Sequence, residues 1–139
     1  MLLLMSLKIK TITVVSARVL LGLIFLVFGL NFFLQFLPTP PQTGGAAESF
    51  TTGLFLSGYF FPFLKAIEIV LGIALLTGAF VPLALVILMP ISINIFLFHI
   101  FLTDNPLISV VILALHVYVS WAYRDYYKPL LKPKTFASL

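Results

Sequence analysis

The sequence predicts an all-α integral membrane protein: a four-helix bundle whose long first external loop carries a short interfacial amphipathic helix. Three observations carry that prediction. The hydrophobic fraction is 62% and the charged fraction 9%, against roughly 25% charged in a soluble domain. Four apolar segments are each long enough to cross a hydrocarbon core of about 30 Å as a helix. The cationic residues gather towards the two ends of the chain, with Lys8, Lys10 and Arg18 at one and Arg124, Lys128, Lys132 and Lys134 at the other. A soluble fold of 139 residues would leave much of this apolar surface in water, whereas lipid solvates it.

The whole chain reads as one transmembrane domain, 1–139, with spans at 15–37, 60–79, 82–102 and 107–123 and a tail at 124–139. Lys8 and Lys10 precede an apolar run that imitates a signal peptide, but the run is too long for one and no small-residue cleavage site follows it. The opening MLLLM segment reads equally as part of the chain or as an overhang ahead of a start at Met5.

The breaks between spans follow from local chemistry. Gly78 and Pro82 form a stop-and-start pair between the second and third spans. Asp104 and Asn105 can cap the fourth helix, with Pro106 in its first turn. Pro90 lies inside the third span and is expected to kink it or free a carbonyl. The connection 38–59 opens with a turn-rich run from Pro38 through Thr39, Pro40, Pro41, Gln42 and Thr43 to Gly44 and Gly45. Beyond it Phe50, Leu54 and Phe55 alternate with Glu48, Ser49, Thr51 and Thr52, the spacing of a short interfacial helix.

Orientation follows from the basic residues. Lys8 and Lys10 lie in one tail and Lys128, Lys132 and Lys134 in the other, while the first and third loops hold only Glu48 and Asp104. The positive-inside rule puts both termini in the cytoplasm, and the expected location is a bacterial-type cytoplasmic (inner) membrane. Trp121, Tyr123, Tyr126 and Tyr127 then form an inner aromatic belt. The net charge of +4 is juxtamembrane charge facing an anionic leaflet, not a nucleic-acid surface, because no basic stripe interleaves with aromatics. Without cysteine, disulfides, thiolate nucleophiles and cysteine-ligated metals are excluded within the chain.

Polar residues at membrane depth are where function is sought first, because each costs several kcal/mol there. Lys65 and Glu68 share a face of the second span, which Gly72 continues one turn later. Glu68 lies about 12 Å along the helix axis from Phe60, where a carboxylate must be ion-paired or protonated. A packing role and a functional role are both open for the pair. In the third span Asn94 and His99 stand about 140° apart round the helix; Asn94 reads as interhelical glue and His99 as an interfacial donor or a proton carrier. In the fourth, Ser109, His116, Ser120 and Tyr123 share one face, with His116 near the midplane as a satisfied core histidine or a titrating group. The first span offers Arg18, which can snorkel, and Gly22 and Gly29, which admit a close neighbour. Asn31 and Gln35 lie in its outer half.

By depth, Asn31, Lys65, Glu68, Asn94 and His99 fall in the outer half and His116 near the middle, which predicts one outward-facing ligand cavity beneath the first loop. The candidates for catalysis are Glu68, Lys65 and His116. The two histidines, on separate spans, are too few for a metal or haem site, and no phosphate loop or serine elbow is present.

Two segments resemble a known family. The first span, from Ala17 and Arg18 through Gly22 to Gly29, resembles the opening helix of DoxX-like membrane proteins. The segment from Lys65 and Glu68 through Gly72 to Gly78 resembles that family's acidic-glycine helix. Size, four spans and the long first loop extend the resemblance over about 15–125. It implies a four-helix bundle and a link to membrane redox chemistry, with quinone as acceptor in some members. Lacking cysteine, this chain would need a quinone, another bound cofactor or a partner protein for such chemistry. Three functions follow: a redox-associated subunit of a quinone-linked oxidoreductase, a non-catalytic accessory or scaffold protein, and a small-molecule carrier acting as a homo-oligomer. The expected partners are the bilayer and a membrane or peripheral protein.

Overall fold

The computed structural model describes residues 2–38 and 44–133. The turn-rich run at 39–43, Lys134 and the choice between Met1 and Met5 as start lie outside those residues or are not decided by them. The described chain is all-helical: α1 (Leu2–Leu34), α2 (Gly45–Leu56), α3 (Phe60–Thr77), α4 (Val81–Leu102) and α5 (Leu107–Ala122), followed by a 3-10 helix, Arg124–Leu131.

Helices α1, α3, α4 and α5 pack in a ring, α1 on α3, α3 on α4, α4 on α5 and α5 back on α1, with the α1–α3 contact the most extensive. Helix α2 touches α3 and α4 at one end, where Phe50 and Phe98 meet with ring centroids 5.9 Å apart. None of its residues is buried. The core between the four long helices is narrow: Ala17, Leu21 and Phe25 of α1, Leu75 of α3, Val81, Ala84, Leu85 and Leu88 of α4, and Ile112 and Val119 of α5. Ile24, Leu71, Ile91, Ile95 and Leu115 pack partly buried against it, and many other apolar side chains point outward. Val70, Phe101, Val117 and Trp121 are each more than half exposed, a surface that water would penalise and acyl chains would not.

Boundaries depart from the sequence reading where backbone geometry intervenes. The first helix begins at Leu2, so Lys8 and Lys10 are helical, and it ends at Leu34 rather than at Leu37. Gln35 stops it by adopting a left-handed φ of 49°. The amide of Leu37 then donates to Asn31 Oδ1 at 2.7 Å, closing the helix end. Gly78 ends α3 in the left-handed region (φ 78°), its N–H bonded to Ala74 O, a conformation that favours glycine. Pro82 lies in the first turn of α4, where its missing N–H costs nothing.

The fourth predicted span, 107–123, keeps its bounds to within one residue but not the reach of a full crossing. Helix α5 has 16 residues, about 24 Å of helix, short of a core of about 30 Å. The 3-10 helix bends 76° away from it. Three helices, 8–34 of α1 together with α3 and α4, are thus long and apolar enough to cross a membrane, and a fourth if α5 and the 3-10 helix count as one broken span. Asn105 Oδ1 accepts from the Leu107 amide at 3.3 Å from outside the helix, but the N-cap is Pro106 and makes no side-chain cap bond, so Pro106 precedes the first turn in which it was expected.

Candidate functional site

Helix α3 buries Glu68, Gly72 and Leu75, positions spaced four and three apart that form one stripe. The stripe faces α1. A Cβ on Gly72 would lie 2.9 Å from Leu26 N and 3.0 Å from Gly22 O, and one on Gly29 would lie 3.2 Å from Lys65 O. The glycines therefore let the two backbones touch, as expected of Gly22 and Gly29, and press α1 against the stretch of α3 that carries the ionisable pair.

Lys65 Nζ reaches both carboxylate oxygens of Glu68, at 3.0 and 2.8 Å. The Glu68 side chain is 2% exposed and that of Lys65 20%, so the carboxylate is sealed while the lysine side chain stays partly exposed. A desolvated pair of this kind holds its geometry because removing either partner strands the other, yet it adds little net stability over an apolar pair.

His116 forms a second closed unit. Fully buried on α5, it places Nε2 3.0 Å from Leu85 O and Nδ1 2.6 Å from Ser92 Oγ. A carbonyl can only accept, so Nε2 carries the proton in this bond, and Nδ1 is free to accept from the serine hydroxyl. Both partners lie on α4, on either side of Pro90. Because proline has no N–H and crowds the carbonyl four residues earlier, α4 is locally weakened there, and the imidazole braces it from the neighbouring helix. It bonds Leu85 O rather than the Val86 carbonyl that Pro90 leaves without its helical donor, so it ties the weakened turn to α5 without replacing the lost bond.

The other candidates do not join these units. Asn31 is taken up in closing α1. His99 Nδ1 bonds to Ile95 O of its own helix at 2.8 Å. Asn94 is exposed on the outside of α4, away from Ser92 on the buried face. None of the six lines either of two grooves between α4 and α5, one walled by Phe96, Val110, Leu113, Ala114, Val117, Tyr118 and Trp121. The other is walled by Leu85, Val86, Met89, Pro90, Ser120 and Tyr127. The expected gathering of polar groups from four helices into one cavity gives way to two separate, internally bonded pairs. Ser92 went unrecognised in the sequence, although it continues the buried positions Leu85 and Leu88 at helical spacing.

No protein-family model, curated protein or solved structure matches the chain. Fold and site define a class instead: an all-helical chain of several membrane-length apolar helices, with charge and hydrogen-bonding groups neutralised inside it.

Proposed function

We propose that the chain is a multi-pass, DoxX-like protein of a bacterial-type cytoplasmic membrane. In this reading α1, α3, α4 and α5 form a four-helix bundle with both termini inside. Its role is that of an accessory or scaffold protein, offering its outer apolar faces to a membrane partner or a second copy. The carrying observation is that the buried candidates Glu68 and His116 are both satisfied within the chain. A bundle whose polar groups are already paired has its chemistry spent on holding helices together.

Gentle extraction followed by mass spectrometry of bound small molecules, repeated with Glu68→Gln, tests this. The expected result is no stoichiometric ligand in either protein and a stability loss of about 1–3 kcal/mol in the variant, the cost of an imperfectly satisfied buried partner. A second reading, the redox-associated subunit with a quinone beside Lys65 and Glu68, draws on the partial exposure of the Lys65 side chain. Its signature is a quinone that co-purifies with the native protein and is lost in Glu68→Gln. The carrier reading instead requires uptake into proteoliposomes.

A further inference from the structure

Helix α4 sends two polar residues to opposite sides. Ser92 faces the bundle and bonds to His116, whereas Asn94 stands about 200° round the helix and is exposed on its outside. The polar side chains nearer the helix end find partners on their own backbone: His99 Nδ1 bonds to Ile95 O, and Thr103 Oγ1 donates to His99 O. The Asn94 amide makes no such bond among the described residues. It lies about 12 Å along the axis from Leu102, the end of the helix, too deep for so short a side chain to reach the interface. An amide brings two donors and an acceptor, and in hydrocarbon these are costly to leave bare.

The surroundings of Asn94 are patterned. Leu83, Ile87, Pro90, Asn94, Leu97 and Phe101 recur in alternating steps of four and three, and all six are exposed. Steps of this kind mark the contact line of one helix against another. The line runs opposite the side on which α4 buries Leu85, Leu88 and Ser92, and no described helix covers it; Phe101, at its outer end, is 77% exposed. Within the pattern Asn94 shares a register with Ile87 and Phe101, where a single asparagine fixes two parallel helices in line.

The chemistry specifies the occupant. A primary amide is complementary to another primary amide, each giving one N–H and accepting one. Copies of one chain insert in the same orientation, so a two-fold axis between them stands along the membrane normal and their α4 helices run parallel. A second copy therefore brings its own amide to the same depth and the same face.

We infer that the outer face of α4 is the contact between two copies of the chain, a parallel two-fold dimer in which Asn94 bonds to the partner's Asn94. The inference rests on the membrane location proposed above and deepens the accessory reading by naming its partner.

The test is energy transfer between donor- and acceptor-labelled full chains in phosphatidylglycerol–phosphatidylcholine vesicles, with the label on Leu131→Cys, since the chain has no other thiol. Transfer is expected to saturate as for pairs and to fall when unlabelled chain is added. Asn94→Leu removes no contact within a copy and should weaken association about tenfold, the scale of an interhelical polar contact in lipid. Asn94→Gln keeps the amide and should weaken it less. In separate single-cysteine chains, oxidation should cross-link Leu97→Cys and leave Val70→Cys, exposed on α3, monomeric. Undiminished association of Asn94→Leu overturns the inference, as does equal cross-linking from the two positions, which marks random collision. A monomer that protease protection shows to be inserted also overturns it and leaves the membrane location standing. A chain that stays outside the vesicles removes the membrane location, and the dimer with it.

Discussion

Helices α1 and α3 meet by having almost nothing between them, whereas α4 and α5 meet by placing a polar side chain between them. In the first seam Gly22, Gly29 and Gly72 remove side chains where the backbones touch. In the second, His116 fills the gap and bonds twice to α4. The contrast has a physical basis. In the membrane proposed for the chain, lipid would provide no hydrophobic drive for helices to associate, so a seam there would be stabilised by close van der Waals packing or by hydrogen bonds sheltered from lipid. Glycine achieves the former on an intact helix. On α4, Pro90 weakens the helix, and the imidazole of His116 bonds on either side of it, to Leu85 O and Ser92 Oγ.

The largest effect is expected at the glycine seam. Gly72→Val puts a branched side chain where even a Cβ would lie 2.9 Å from Leu26 N and 3.0 Å from Gly22 O, and backbone atoms cannot swing aside. The helices must separate, and the loss extends to the Lys65–Glu68 pair one turn away. Unfolding in mixed micelles should show destabilisation of about 3 kcal/mol, the upper end of ordinary overpacking. A loss below about 1 kcal/mol, within the range of tolerated core changes, would mean that the helices slide past the obstruction and that the seam is not rigid.

The histidine seam should be weaker but more specific. His116→Leu removes two hydrogen bonds and leaves the Ser92 hydroxyl to turn back on its own helix. The expected loss is about 1–2 kcal/mol, since interhelical hydrogen bonds in membranes contribute modestly. A double-mutant cycle with Ser92→Ala separates the two bonds. A coupling energy near zero would show that Leu85 O, not Ser92, carries the interaction, and would shift the brace to one side of Pro90.

The first seam was far more legible in the sequence than the second. Gly22 and Gly29 declare close approach whatever the partner, and Lys65 with Glu68 declare a shared face by their spacing, which Gly72 continues without itself having signalled the contact. The ends of α3 and α4 were legible for a similar reason, since Gly78 and Pro82 act through their own backbones. In α4, however, the more polar Asn94 drew attention from Ser92. The two stand about 200° apart round the helix, and polarity does not reveal which faces inward. The buried apolar positions Leu85 and Leu88 would have revealed it. Asn31 was misread as a cavity residue because its role depends on the left-handed turn at Gln35, which an L-residue other than glycine seldom signals.

The smallest effect sharpens the comparison by removing a polar link from its shelter. Helix α5 also bonds to α1, through Tyr118 Oη and Thr13 Oγ1 at 2.9 Å, and both side chains are exposed. The distance falls between the two made by His116. If bond length governed the strength of a seam, Tyr118→Phe would cost nearly as much as His116→Leu. If shelter governs it, the loss stays under about 0.5 kcal/mol, because an exposed hydroxyl near the basic end of α1 exchanges one partner for another at little net cost. Thr13 in particular keeps its bond to Lys10 O. Measured in the same micelles as the other variants, a loss of about 1 kcal/mol or more, typical of a fully effective hydrogen bond, would place α1–α5 beside α4–α5 as a hydrogen-bonded seam. It would also leave the glycine contact between α1 and α3 as the exception in the ring.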